Sequence, residues 1–350
     1  MSSEKPKFGI PNISRRTLLA GFAASGIVLP MRSSFAQTED WDAVVEAARK
    51  EGEILFYSGS VGVPDYVAVI RDFERKYGIK VEIFEARHSE MQERLRIELL
   101  TGQPSADVIY TGASSMVAIK DAGNLAPIGN LPLFSKIEAP FEVEEFSAPL
   151  QVNTYGILIN TNLVPEEEAP QSWLDILDPK WQGRILADDP RAVGGGNVTA
   201  SVLLEAFGRE FHERLAAQKP ELSRSQRENQ RRLARGEFAI YVPFTMTDIL
   251  RLEGLPVRAI NPTEGNPYVI FSIALIKDAP HPNAARLLVN HFFEEEASQR
   301  FYENGKRVTV PASQENLPEN LKELVNVRLL DKMDTSKMQE YLEIFGEIYG

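Results

Sequence analysis

The segment from Arg191 to Asn197 contains the residue types best suited to hold an anion. Three glycines, Gly194, Gly195 and Gly196, allow backbone N–H groups to approach a ligand closely. An apolar helix is predicted to begin near Asn197, so the positive end of its dipole would point at the same place. Arg191 adds a full charge and a two-pronged donor that fits a carboxylate or phosphate. The pattern predicts an anion site made by Arg191, Gly194, Gly195 and Asn197, although a flexible turn with a surface arginine has the same composition.

This segment lacks the markers of two common phosphate-binding loops. A Walker loop needs a lysine and a hydroxyl residue directly after its glycines, and the dinucleotide fingerprint needs the spacing GxGxxG. The residues after the glycines are Asn197 and Val198, so neither motif is present.

Further polar residues follow the predicted strands at their carboxyl ends. Ligands of open parallel sheets bind at that edge, where loops and helix N-termini converge. The residues predicted to face a ligand there are Ser58, Ser60, Arg87, Ser89, Thr111, Ser114, Tyr241 and Thr245. For Arg87 and Ser89, a helix cap beside a solvated charge is the simpler alternative.

Two tyrosines and two acids complete the candidate set. Tyr155 and Tyr268 lie near the positions where the chain is predicted to cross between lobes. They are predicted to line the hinge side of the site, although each would also suit a buried core. Asp188 and Asp189 could bind a cation, but two adjacent acids on a turn are expected to face water.

The sequence offers few residues for metal or covalent chemistry. It has no cysteine and four histidines, which do not occur with the spacings HxxH or HExxH. A thiolate-ligated metal and an iron–sulfur cluster are excluded, and a histidine-built metal site is not expected. No Ser-His-Asp arrangement with a GxSxG elbow is present. We therefore expect no bound metal, no cofactor and no catalytic residue.

Residues 1–36 have the layout of a twin-arginine export signal. Arg15 and Arg16 precede the apolar run Ala20–Pro30, and a small-residue cleavage pattern ends at Ala36. The run is shorter than the roughly 20 residues that a membrane-spanning helix needs. We predict cleavage after Ala36 and a mature protein that works in the periplasm; an uncleaved N-terminal anchor is the alternative.

The charge balance argues against nucleic acid and membrane surfaces as partners. The whole chain has a formal net charge of −12, and the predicted leader carries five basic residues against one acidic residue, which leaves the rest near −16. Nucleic acids and anionic lipids are bound by basic faces. A small molecule is the expected partner.

The hydrophobic pattern predicts alternating helices and strands, which is typical of a parallel sheet covered on both faces. The predicted strands are 53–57, 80–84, 106–110, 155–160, 184–187, 238–243 and 269–276. The predicted helices are 41–50, 64–76, 90–101, 115–122, 172–177, 198–207, 209–235 and 283–293, with further helices in the tail 316–349.

The length predicts two domains, because the chain after the leader exceeds the roughly 250–300 residues of a single core. The expected fold class is α/β, with two lobes that are each a mostly parallel sheet flanked by helices and that are joined by hinge strands. The predicted boundaries are 1–36 for the leader, 37–149 plus 268–309 for the first lobe, and 150–267 plus 310–350 for the second.

One stretch of the chain resembles a known family. The residues from Trp173 to Ile185 follow the pattern W-x-D-L-x-D-P-x-W-K-G-K-I of bacterial extracellular solute-binding proteins. The nearest branch is the ferric-iron and phosphorylated-solute group of ABC importers. Further matches, in the same order along the chain, are Asp189-Pro190-Arg191, Arg235-Gly236-Glu237, Glu264-Gly265 and Ala279–Ala285.

The resemblance implies a periplasmic binding protein of type II. Such a protein is not an enzyme: two lobes close over one ligand, which is then delivered to a membrane permease. Ferric-binding members of the group use adjacent tyrosines, commonly with a histidine and a glutamate. None of the ten tyrosines here is next to another. A small organic or phosphorylated anion is therefore the expected solute, and the protein is expected to be a monomer.

Two alternatives stay open from the sequence. One is a ferric-iron-binding protein that uses a single tyrosine together with a synergistic anion. The other is an exported hydrolase or lyase built on the same two lobes.

Overall fold

The computed structural model describes residues 40–59, 65–86 and 88–350, without the side chains of Asp65, His88 and Ser89. The predicted leader, Ser60, Arg87 and the side chain of Ser89 lie outside the described residues. What the sequence predicts for them stays a prediction.

The described strands join in one mixed sheet. They are β1 (Glu53–Ser58), β2 (Lys80–Glu85), β3 (Val108–Gly112), β4 (Leu125–Ala126), β5 (Ala148–Asn160), β6 (Ile185–Asp188), β7 (Glu221–Ser223), β8 (Ile240–Thr245), β9 (Val257–Ile260), β10 (Asn266–Ile276), β11 (Arg307–Val308) and β12 (Leu329–Lys332). The main strand order is β2-β1-β3-β10-β5-β8-β6-β7.

Helices flank this sheet. The described α-helices are α1 (Trp41–Glu51), α2 (Asp65–Tyr77), α3 (His88–Leu100), α4 (Ala113–Asp121), α5 (Gly195–Ala217), α6 (Gln226–Ala234), α7 (Pro282–His291), α8 (Glu295–Glu303), α9 (Glu319–Val325) and α10 (Met338–Tyr349). Short 3-10 helices cover Pro132–Lys136, Glu166–Glu168, Trp173–Leu177, Pro179–Trp181, Met246–Leu252 and Thr335–Lys337. Within the described part of the chain, no helix has both the length and the apolar character needed to cross a membrane.

The first half of the sheet is built around β1, β2 and β3, which run parallel as predicted. Successive side chains of β1 point to opposite faces. Phe56 packs with Phe73 and Phe292 on one face, whereas Tyr57 packs near Met91 on the other. Because helices cover both faces, the strand is apolar along most of its length. We call this part the first half-sheet; β10 closes it and runs antiparallel to β3.

The second half-sheet consists of β6, β7, β8 and β9. Strand β6 is parallel to both β7 and β8. Its core includes Trp173, Trp181 and Ile185, which belong to the stretch that resembles the solute-binding family.

The long strand β5 belongs to both half-sheets. Thr154 lies opposite Tyr268 of β10, and the next residue, Tyr155, lies opposite Thr245 of β8. The chain therefore passes between the half-sheets at Tyr155.

The predicted continuous helix 209–235 is wrong. Gly208, with φ 76° and ψ 175°, interrupts the helical path of α5 at the boundary between the predicted helices 198–207 and 209–235, but the second of these does not continue to residue 235. Helix α5 ends at Ala217, and Pro220 precedes the short strand β7. Proline at this point cannot continue a helix, because it lacks the backbone N–H and clashes with the preceding turn. The chain then turns into α6, so a loop exists where a helix was expected.

Candidate ligand-binding site

The predicted glycine run forms the start of α5. Gly194 is the N-cap residue with φ 153°, and no side chain caps the helix. A Cβ on Gly195 would lie 2.8 Å from Nε2 of Gln226, and a Cβ on Gly196 would lie 2.8 Å from Cβ of Asp188. Only glycine fits these two positions without movement of a neighbour. The first N–H groups of a helix lack intrahelical acceptors, so these amides are available for an anion.

A cavity of about 430 Å³ lies against these glycines. We call it the glycine-loop cavity. Its lining residues are Asp188, Asp189, Ala192, Val193, Gly194–Gly196 and Ser223–Arg227. The loop between β7 and α6 therefore forms the wall opposite the start of α5.

Asp189 binds two arginines beside this cavity. Arg191 donates from Nε to Oδ1 at 2.8 Å, and Arg224 donates from Nη2 to Oδ2 at 2.9 Å. Although burial opposes it, the hydrogen bonds from Arg191 and Arg224 hold the pKa of Asp189 below its usual value. Arg191 also donates to the backbone carbonyl of Tyr349 at 2.8 Å. Arg191 itself does not line the cavity: its guanidinium is bonded to Asp189, which does, and to the C-terminal helix.

Asp188 accepts hydrogen bonds from neutral groups alone within the described residues. The donors are Gln226 Nε2 at 2.9 Å, Asn229 Nδ2 at 3.0 Å and the hydroxyl of Tyr241 at 2.8 Å. Burial raises the pKa of Asp188. The side chains of Asp188 and Asp189 are only 7% and 6% exposed, so the expectation that both face water is wrong. Tyr241, predicted as a ligand contact, is itself buried and holds Asp188.

Tyr155 points at the glycine run from β5. Its hydroxyl lies 3.3 Å from the position that a Cβ on Gly195 would take. The side chain is 7% exposed, and its hydroxyl has no hydrogen-bond partner among the described residues. Burial, followed by the charge of Asp188, raises the pKa of Tyr155. A hydroxyl without a protein partner on a buried side chain can donate to a bound ligand.

Two other predicted residues sit close to this group. Asn197 is fully buried and donates from Nδ2 to the carbonyl of Pro190 at 2.8 Å, so its side chain fixes the loop. Thr245 lies beside Tyr155 in the register of β5 and β8 and is half-buried.

The predicted residues of the first half-sheet gather at the carboxyl ends of β1 and β3. Ser58 is fully buried, and the N–H of Gly59 donates to the carbonyl of Tyr110 at 2.9 Å. A Cβ on Gly59 would lie 2.7 Å from Oγ1 of Thr111. Ser58 and Thr111 are therefore neighbours, as their places after parallel strands predict.

Ser114 and Tyr268 line a second cavity, of about 290 Å³. Ser114 lies in the first turn of α4 and Tyr268 on β10, and Val198 from the first turn of α5 also lines this space. The structure thus groups Arg191, Gly194, Gly195 and Tyr155 around the start of α5, and places Ser114 with Tyr268 in the second cavity.

Sequence reasoning missed the residues contributed by the loop before α6. Gln226 and Arg224 bind Asp188 and Asp189, and the exposed Arg227 lines the glycine-loop cavity without an ion pair to any described residue. They were assigned to the interior of a long polar helix. Pro220 was the signal that could have revealed the loop.

The described residues include no group of three or more histidine, aspartate or glutamate side chains that could hold a metal ion.

Comparison with known proteins identifies the family. Residues 103–336, about two thirds of the chain, match the family model described as bacterial extracellular solute-binding protein. Iron-bound HitA from Pseudomonas aeruginosa has 18% identity and a TM-score of 0.67, with 85% of this chain and 99% of that chain covered. The substrate-binding protein of an ABC transporter from Agrobacterium tumefaciens has 16% identity and a TM-score of 0.70, with coverage of 85% and 94%.

A third solved structure carries an organic ligand. AfuA from Actinobacillus pleuropneumoniae, with exogenous fructose-6-phosphate bound, has 20% identity and a TM-score of 0.62, with coverage of 85% and 96%. At such identities the likeness establishes the fold, which is the two-lobed α/β fold predicted from the sequence. The chain belongs to the bacterial extracellular solute-binding protein family, whose members bind solutes and are not enzymes.

Proposed function

We propose that this protein captures a small organic or phosphorylated anion and closes its two lobes around it. Proteins of this kind bind small solutes and interact with the permease of an ABC importer. What is proposed here is the chemical class of the solute and the residues that bind it.

The observation that carries this proposal is the uncapped start of α5 at the glycine-loop cavity. Gly194, Gly195 and Gly196 bring backbone N–H groups to its surface, and Arg227 adds a cation without an ion pair to any described residue. The hydroxyl of Tyr155 supplies a further polar group beside Gly195. Amides, a guanidinium and a hydroxyl are the donors that carboxylates and phosphates use in proteins.

The opposite side of the ligand would come from the first lobe. We assign residues 37–149 and 268–309 to that lobe, and residues 150–267 and 310–350 to the second. Its contributing residues would be Ser58, Ser60, Arg87, Ser89, Thr111 and Ser114. Closure of the lobes is then a two-state motion that the ligand favours because it contacts both sides.

A second candidate is ferric iron held by one tyrosine and a synergistic anion. The unpartnered hydroxyl of Tyr155 favours it, because phenolate oxygen suits a hard cation, and HitA is an iron-bound protein of this fold. AfuA, with a sugar phosphate bound, supports the first candidate in the same way.

We further propose that the protein is exported by the twin-arginine route, is cut after Ala36 and acts as a monomer. Replacement of Arg15 and Arg16 by lysine should leave the precursor in the cytoplasm of the producing cell. Secretion unaffected by that replacement would rule out this route.

A thermal-shift screen tests the solute class. The panel contains organic acids, sugar phosphates, phosphonates and ferric salts. A ligand at one hundred times its dissociation constant adds about 2.7 kcal/mol to stability, which a melting curve resolves. Stabilisation by metal-free anions supports the first candidate. Stabilisation by ferric salt with a visible phenolate-to-iron absorption band supports the second, and stabilisation by neutral solutes alone contradicts both.

A further inference from the structure

Asp188 is a buried carboxylate that no cation neutralises within the described residues. Two arginines, Arg191 and Arg224, bind the next carboxylate in the chain, Asp189, and neither forms an ion pair with Asp188. Asp188 receives three hydrogen bonds, all from the uncharged side chains of Gln226, Asn229 and Tyr241. Buried charges in proteins are normally paired, because hydrogen bonds alone do not replace the lost hydration of an ion.

This carboxylate lines the same cavity as the anion-binding amides. Asp188 lies in the lining of the glycine-loop cavity. Gly196 is so close to Asp188 that a side chain at position 196 would place its Cβ 2.8 Å from Cβ of Asp188. The amides of the glycine run and Arg227 attract negative charge there, whereas Asp188 attracts positive charge. One small cavity thus offers binding groups of both signs.

The hydroxyl of Tyr155 adds an acceptor next to this carboxylate. It lies at Gly195, where Gln226 also approaches, and Gln226 is bonded to Asp188. Tyr155 and Gln226 thus approach Gly195 together, and Gln226 connects this place to Asp188. A carboxylate and a hydroxyl together suit an ammonium group, which has three donors and no acceptor.

We propose that the solute is zwitterionic: it carries an ammonium group that pairs with Asp188, in addition to the anionic group that binds the start of α5. This inference rests on the proposed function, since it assumes the anion site at the glycine run.

Matched pairs of small molecules test it on the unaltered protein. The pairs are O-phosphoethanolamine with ethyl phosphate, L-glutamate with glutarate, and 4-aminobutyrate with butyrate, each measured by calorimetry at pH 7. The amine lowers the net negative charge, so arginines and amides alone would favour the member without it. We expect the amine-bearing member of at least one pair to bind at least tenfold more tightly.

Two variants assign any such preference to a residue. Asp188→Asn should remove the preference for the amine-bearing member, while Asp189→Asn, the matched change at the next residue, should keep it. Melting curves establish that each variant is folded. If Asp188→Asn does not fold, the pairs measured on the unaltered protein still decide the question.

The outcomes separate this inference from the proposed function. Equal or tighter binding of the members without an amine overturns the zwitterionic solute and leaves the anion site standing. If sugar phosphates bind and no member of the three pairs does, the zwitterionic solute is likewise overturned and the anion site is left standing. If no anion of either panel binds, both proposals fail.

Discussion

Replacement of Arg191 by alanine tests whether this arginine, which the sequence predicts as an anion-binding residue, takes part in binding. The side chain donates to Asp189 from Nε at 2.8 Å and Nη2 at 3.3 Å, and to the carbonyl of Tyr349 from Nη1 at 2.8 Å. Arg191 is about one-third exposed, and Arg224 would still neutralise Asp189 after the replacement. We therefore expect a loss of stability of only about 1–2 kcal/mol, well below the 3–5 kcal/mol of a fully buried broken pair.

The expected effect on binding is larger than the effect on stability. If Arg191 attracts the anion, its removal should weaken binding by roughly 2–5 kcal/mol, as loss of a buried charge partner does. That range corresponds to a dissociation constant roughly 30-fold to 5,000-fold higher. Calorimetry with the tightest-binding anion of the screen measures affinity, and urea unfolding measures stability.

Arg209→Ala is the matched control. Arg209 also binds the C-terminal helix, through Glu347 at 2.8 Å, but it lies beyond the break at Gly208 in α5, far along the chain from the glycine run. Its removal should leave the affinity unchanged. An unchanged affinity in Arg191→Ala as well would show that Arg191 holds Asp189 and Tyr349 together without taking part in binding.

Three further predictions concern stability. Burial lowers the pKa of His212 to about 4, so as the pH falls the unfolded state takes up the proton first. The free energy of unfolding should therefore fall by about 3 kcal/mol between pH 6.5 and pH 4. In urea unfolding, His212→Gln should abolish this fall. Although burial opposes it, hydrogen bonds from His291 and Lys76 hold the pKa of Glu294 at about 2. The contribution of Glu294 to the stability of the protein is complete above about pH 4.5 and is lost as the pH falls toward 2. Glu294→Gln should not show this loss. Gly196→Ala should cost about 1–3 kcal/mol and block binding, because its Cβ would meet Cβ of Asp188 at 2.8 Å and the backbone carbonyl of Asp188 at 3.1 Å. Gly346→Ala in α10 meets nothing within 4 Å and should be neutral or stabilising.

The parts of the fold that depend on local sequence were predictable. Strand β1 and the apolar residues at the start of β3 could be recognised from the sequence, because a strand that is buried on both faces is a continuous apolar run. The helix that follows Gly194 was predicted within a few residues, since a glycine run before an apolar segment indicates a helix start. The short strands β4, β7, β9, β11 and β12 were missed, because two to four residues carry no measurable period.

The candidate site was predictable only where its residues lie close together in the chain. Arg191 and the glycines were found because they share one short segment. Gln226 and Asn229 lie about forty residues from Asp188, and their contact depends on the end of α5 at Ala217 and on the loop before α6. That loop was hidden by a long run of polar residues, so the predicted helix 209–235 placed these amides far from the site. Tyr241 was predicted to contact the ligand, whereas its hydroxyl donates to Asp188, as these amides do.

The geometry of the anion site depends on the C-terminal helix. Arg191 joins Asp189, which follows β6, to the carbonyl of Tyr349 at the end of α10. The hydroxyl of Tyr349 in turn lies 3.0 Å from Nδ1 of the buried His212, whose other ring nitrogen contacts the carbonyl of Ala200 in α5. The loop before α5 and the helix itself are thus each connected to the end of α10. A site held in this way loses little entropy when an anion binds, because its amides are already in place.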